Sequence, residues 1–157
     1  MQKISLITVG GHKEKFYKDA EKEYLKRLSS FCTFEIFETK EYSALEGNAK
    51  LLKESEEIIK HLNKLKDSLV CLLDINGKQI SSEEMSNILK TAKLDSQIKN
   101  LVFVIGGSNG VHESVKRAAS QKISFGKITL PHQLCRVVLV EQVYRGFTIE
   151  AGGSYHK

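Results

Sequence analysis

The stretch Leu101–Gly110, LVFVIGGSNG, decides the fold class. Its first five residues are all apolar and show no alternation. A strand with no polar face is covered on both sides, as in the middle of a parallel sheet. Gly106-Gly107 then ends the strand and opens a glycine-rich loop. Ser68–Leu73, SLVCLL, repeats the pattern and leads to Asp74-Ile75-Asn76-Gly77, where Asn-Gly predicts a turn.

Outward from these two strands, helical and extended periods alternate. Lys3–Val9, Thr33–Glu38 and Lys122–Ser124 read as further strands. Glu14–Leu28 carries Phe16, Tyr17, Ala20, Tyr24, Leu25 and Leu28 at helical spacing. Asn48–Leu65 does the same with Leu51, Leu52, Ile58, Ile59, Leu62 and Leu65 inward. Ser81 followed by Glu84 is a capping box that starts a helix to about Leu94, and Val111–Ser120 reads as a short helix. Strands alternating with helices specify an α/β fold, a mostly parallel sheet with helices on both faces, in a single domain over residues 1–157.

The last helix is unusual. Pro131, the only proline of the chain, marks the switch from the Phe125–Leu130 loop into it. Leu134, Val137, Val138, Leu139, Val140, Val143, Tyr144 and Phe147 point all round its axis, so it is expected to be buried on every side. In so small a domain, a second copy of the chain is expected to cover one side. Arg136, Glu141 and Arg145 share that helix, and buried charge is costly unless paired. They are expected to pair with each other or to serve a ligand.

Composition narrows the function. No apolar run approaches a membrane span, and the first residues lack the pattern of a signal peptide, so a cytoplasmic protein is expected. Cys32, Cys71 and Cys135 form no C-x-x-C pair, and the five histidines show no ligand spacing, so no metal is expected. The net charge is +5. Residues 1–98 hold 16 basic and 16 acidic side chains, whereas residues 99–157 hold 8 basic and 3 acidic. Positive charge concentrated in the glycine-loop half suits either an anionic partner such as nucleic acid or a generally basic surface with no partner, and the charge alone does not separate the two.

Open α/β sheets bind ligands at the carboxyl ends of their strands. Three loops leave such ends: the one after Leu73, Gly106–Gly110, and Phe125–Leu130. Together they predict a small-molecule site. The dinucleotide and triphosphate glycine motifs are both absent. His132 reads as a helix cap or a site residue, with the cap favoured. Chain ends fray, which predicts a disordered Tyr155-His156-Lys157. The same trio could also stack on a base, handle a proton and hold a phosphate.

Phe103–Gly110, Leu130-Pro131-His132 with Arg136-Val137 and Glu141-Gln142-x-Tyr144-Arg145, and the terminal Tyr155-His156-Lys157 resemble the ribosomal RNA large-subunit methyltransferase H family. These are pseudouridine N3-methyltransferases of the SPOUT superfamily, and the similarity runs from end to end. The resemblance implies a C-terminal trefoil knot and a homodimer built across the knot helices. It implies S-adenosylmethionine as methyl donor, held by Leu73, Gly106 and Phe125, Gly126, Lys127, Ile128, Thr129 and Leu130. The implied substrate is a pseudouridine of 23S rRNA on the assembled ribosome. Tyr155, His156, Lys157, Arg136 and Arg145 then become the catalytic candidates. His156, the terminal carboxylate or water would take the N3 proton, and Arg136, Arg145 or Lys157 would steady the anion. Lys116, Arg117, Lys122 and Lys127 are candidate phosphate contacts. A non-catalytic RNA-binding factor would not need the donor loops, and a nucleotide hydrolase would need the missing phosphate loop.

Overall fold

The computed structural model describes residues 1–157. Ten elements follow in order: β1 (Gln2–Val9), α1 (Lys15–Leu28), β2 (Cys32–Thr39), α2 (Gly47–Lys64), β3 (Ser68–Gln79), α3 (Ser82–Leu94), β4 (Asn100–Ile105), α4 (Glu113–Ala118), β5 (Gln121–Ser124) and α5 (His132–Glu150). The five strands form one sheet in the order β2-β1-β4-β3-β5, and every pairing is parallel. β3 and β4, which carry the two apolar runs, are neighbours inside it, as those runs require.

Side chains alternate across the pleat and so divide the core in two. Leu101, Phe103 and Ile105 of β4, with Cys71 of β3, pack against Leu28, Met85, Leu89 and Val143 of α1, α3 and α5. Val102 and Val104, with Val70 and Leu72, pack against Ile58 of α2 and Val115 of α4. Helices therefore cover both faces, as expected. Each fully buried Leu or Ile contributes about 1.5–3 kcal/mol relative to exposure. The α3 capping box forms, with Ser81 Oγ accepting the Glu84 N–H and the Glu84 carboxylate accepting the Ser81 N–H.

Some expectations are corrected. Asn76-Gly77 is not a chain-reversing turn. β3 continues through it, and Leu73 and Lys78 both stand opposite Ile123 of β5, so Asp74–Gly77 bulges out of the ladder. Asn-Gly satisfies a bulge as well as a turn, and here β5 lies so close that a Cβ on Gly77 would sit 2.7 Å from the Lys122 carbonyl carbon. Leu52 faces outward, 39% exposed, because Glu54 and Ser55 take the inward positions instead. The short helix expected over Val111–Ser120 covers only Glu113–Ala118, capped by the His112 ring, which accepts the Ser114 N–H.

Candidate functional site

The bulge of β3 and the carboxyl ends of β4 and β5 surround a pocket roofed by the start of α5. Leu73, Gly106, Phe125, Gly126, Ile128, Thr129 and Leu130 all line it, so three segments far apart in sequence converge on one cavity. Lys127 does not line it and is exposed. Sequence reasoning missed Ile105, Ile123, Ser124 and Cys135 as lining residues, and it left Asp74, Ile75, Gly107 and Gly110 only as members of loops. His132 also lines the pocket and is not a cap, since no side chain caps α5 and Pro131 occupies that place. The position of His132 directly after the loop was the signal that could have placed it.

The chemistry of the lining is selective. No lysine or arginine is among its residues, and Asp74 is the only carboxylate. A phosphate-bearing cofactor would find no counter-charge there. A sulfonium compound with a flat base finds apolar walls, backbone groups and one carboxylate, so the residues fit S-adenosylmethionine. Ser124 shapes the rim, its hydroxyl donating to the Gly126 carbonyl and accepting the Gly126 N–H. Gly126 has φ of +132°, where a side chain would be strained. Gly106 is glycine for a different reason. A Cβ there would lie 2.6 Å from the Gly110 carbonyl oxygen and 2.7 Å from Val111 Cγ1. Gly106→Val would thus deform the loop itself rather than simply fill the pocket. Cys135 is held as a thiol, its pKa pushed by burial to about 11, and is a poor nucleophile at neutral pH.

One turn beyond His132, Arg136 is buried, and each of its three guanidinium nitrogens donates to a carboxylate. Its Nε and Nη2 donate to the two Glu21 oxygens at 2.6 and 2.9 Å, and Nη1 donates to Glu38 at 2.7 Å. Burial alone would lower the pKa of Arg136, but the hydrogen bonds to Glu21 and Glu38 more than offset that. His12 Nε2 lies 2.9 Å from Glu21, and His12 Nδ1 is buried without a partner. The expected pairing of Arg136 with Glu141 does not occur. The arginine takes its partners from α1 and β2, neither of which the helical pattern of α5 reveals.

Arg145 behaves differently. Its Nε and Nη2 donate to Oε1 of Glu141, one turn earlier on the same helix, at 3.0 and 2.6 Å. The tail after α5 folds back onto this pair and does not fray. The Tyr155 hydroxyl donates to the same Glu141 oxygen at 3.1 Å, and its ring packs edge-on to Tyr144 at 4.9 Å. The Arg145 guanidinium lies over the Tyr155 ring, 4.7 Å from its centre. Burial raises the Tyr155 pKa to about 12, with the Tyr24 hydroxyl and the Glu141 charge adding to the shift. His156 bridges Arg145 (Nη1 to Nδ1, 3.2 Å) and Glu83 of α3 (Nε2 to Oε1, 2.8 Å). Tyr155, His156 and Arg145 are therefore brought together, while Arg136 stands apart and Lys157 is exposed. Arg117, Lys122 and Lys127 are exposed, and Lys116 is half-buried.

The family described as "Predicted SPOUT methyltransferase" matches residues 2–156. The chain is 48% identical over 161 residues to "Ribosomal RNA large subunit methyltransferase H" of Enterococcus faecalis, covering 99% of each. It is 45% identical over 157 residues to the protein of the same name from Caldicellulosiruptor saccharolyticus, covering 98% of this chain and 99% of that one. In three dimensions it is similar to "a probable methylase family protein" of Haemophilus influenzae, with a TM-score of 0.56 at 10% identity. That match covers 99% of this chain and 71% of the other, and it bears on the fold alone.

Proposed function

The chain belongs to the SPOUT methyltransferase family, and from that premise we propose that it methylates N3 of a pseudouridine in 23S rRNA on the assembled ribosome. The donor in this reading is S-adenosylmethionine, and the enzyme works as a cytoplasmic homodimer whose C-terminal segments form a trefoil knot. The observation that carries it is the convergence of the β3 bulge and the segments after β4 and β5 on one pocket without a lysine or arginine. The relatives' printed name, ribosomal RNA large subunit methyltransferase H, supports the RNA substrate.

When bound, the donor supplies an electrophilic methyl group that leaves a positively charged sulfur. The chain's own work is to orient and desolvate, which is worth several kcal/mol when two reactants are held in line. Leu73, Gly106 and the Phe125–Leu130 segment hold the donor, apart from the outward Lys127. Tyr155 presents a ring for the target base. His156 takes the imide proton, and Arg145 steadies the charge left on the base. Lys157, with the exposed Arg117, Lys122 and Lys127, faces the RNA backbone.

The dimer has a geometric motive. Cys135 of the pocket and Arg145 of the tail cluster are ten residues apart on α5, or about 15 Å along a helix. One chain therefore keeps its pocket and its tail cluster at opposite ends of the same helix. A second copy packed along α5, where Leu134, Val137 and Val138 are only half-buried, brings the tail of one chain toward the pocket of the other. Light scattering at micromolar concentration should give the mass of two chains, and a stable monomer would remove this two-chain site.

The direct test is mass spectrometry of 23S rRNA from cells with and without the gene, paired with labelled-methyl transfer by the purified protein. Loss of one methyl from a pseudouridine, restored by the protein and S-adenosylmethionine, is expected. An unchanged modification pattern, or no donor binding in a calorimetric titration, overturns the reading.

A further inference from the structure

We propose that Glu83, in the first turn of α3, is a positioning residue for methyl transfer. It orients His156 and sets which ring nitrogen takes the substrate proton. The inference rests on the methyltransferase reading above and names a residue that reading leaves out.

Two contacts fix the imidazole. A guanidinium has five N–H donors and no acceptor. At 3.2 Å from Arg145 Nη1, His156 Nδ1 therefore offers its lone pair and carries no proton. The ring proton of neutral His156 then sits on Nε2, 2.8 Å from Glu83 Oε1, and is donated to that carboxylate. The Glu83 carboxyl lies below the usual carboxylate range, held there first by its own backbone N–H and then by His156, so it is ionised at neutral pH. The result is a carboxylate–imidazole pair with its basic atom, Nδ1, turned toward Arg145.

That arrangement suits an imide. As the base enters, its N3–H replaces Arg145 on Nδ1, and Nη1 turns to the neighbouring imide oxygen. The N3–H bond breaks and the proton passes to Nδ1. The electron pair stays on nitrogen and forms the bond to the methyl carbon, while the methyl–sulfur pair leaves with sulfur as a neutral thioether. The imidazolium so formed keeps Nε2–H on Glu83, whose negative charge stabilises it.

Glu83 also has an ordinary structural use, since acidic residues favour the first turn of a helix. Glu84 separates the two roles. It closes the α3 capping box with Ser81 and touches neither His156 nor Arg145. The experiment measures methyl transfer by the full chain, as it occurs in solution, to ribosomes. Glu83→Gln, which keeps the shape and removes the charge, should lower kcat about 10-fold or more with KM for the donor and for ribosomes unchanged. Glu83→Asp should restore part of the loss. Glu84→Gln should leave kcat at the wild-type level. Without donor or RNA, imidazole 15N shifts of the wild type should show His156 protonated on Nε2, and Glu83→Ala should give a mixture of tautomers. A wild-type His156 protonated on Nδ1 overturns the proposal, as does a Glu83→Gln variant whose kcat equals that of Glu84→Gln. Failure of the wild type itself to transfer methyl groups would instead overturn the enzyme reading. The 15N measurement would still report on the pair.

Discussion

Two arginines nine residues apart on α5 meet their acids in opposite ways. Arg136 is 5% exposed and draws Glu21 and Glu38 from 115 and 98 residues away in sequence. Arg145 is half-buried and finds Glu141 four residues back, with the chain's last residues closing over the pair. The first arrangement ties α5 to α1 and β2 and engages each of the three guanidinium nitrogens with a carboxylate. The second is a local pair whose members can exchange partners. Burial and the origin of its partners suit Arg136 to holding the helix that roofs the pocket, and the proposed reading gives the chemistry to Arg145.

The largest expected effect tests the buried member. Arg136→Met leaves Glu21 buried without its cation and should cost about 3–5 kcal/mol of stability, read from urea unfolding. Glu21→Met added to Arg136→Met should recover much of that, because an apolar pair of similar volume often replaces a buried ion pair at little cost. Arg145→Met should cost about 1 kcal/mol, the upper end for a one-turn pair, yet abolish measurable methyl transfer. Equal stability losses at the two positions would dissolve the contrast.

Much of this contrast was hidden in the sequence, for physical reasons. The unbroken apolar runs of β3 and β4 made the parallel sheet legible, because only doubly covered strands carry them. Glycines at three strand ends made the pocket legible, because binding at those ends is a property of the topology. The partners of Arg136 were not legible. Helical periodicity reports neighbours three and four residues away, and Glu21 and Glu38 arrive through the fold. The bulge at Asp74–Gly77 was misread because Asn-Gly serves turns and bulges alike, and only the approach of β5 decides between them. The tail was undecided because its order comes from contacts with Glu141, Tyr144 and Glu83, which no property of three terminal residues encodes.

A smaller effect on stability, with a large one on activity, is expected from removing Tyr155-His156-Lys157. Tyr155 packs on Tyr144 and hydrogen-bonds Glu141, so the tail is not dispensable to the fold. One aromatic contact and one hydrogen bond make a loss of about 1–2 kcal/mol the expectation. Donor affinity should stay within a few-fold of wild type, because no tail residue lines the pocket. Methyl incorporation into ribosomes should fall about 100-fold or more, as expected when reacting groups lose their placement. Near-normal incorporation by the truncated chain would leave Arg145 and its surroundings as structure only, like Arg136.

The smallest effect sharpens the local side of the comparison through pH. Burial, with Tyr24 and Glu141 adding to it, raises the Tyr155 pKa from 10.0 to about 12. A raised pKa means that the folded chain resists losing the phenol proton that the unfolded chain gives up near 10. The stabilisation from the neutral hydroxyl is therefore whole below about pH 10 and drains away as pH rises toward about 12. Tyr155→Phe lacks the titrating group. Its stability deficit relative to wild type should be constant from neutral pH to about 10 and then shrink, or change sign, through the next two units. Paired urea unfolding curves in that window measure it, and ultraviolet titration of phenolate should show one fewer late-ionising tyrosine in the variant. A deficit that stays flat to pH 12 would mean that Glu141 does not hold the Tyr155 hydroxyl in solution. The tail would then hang on His156 and Glu83 alone.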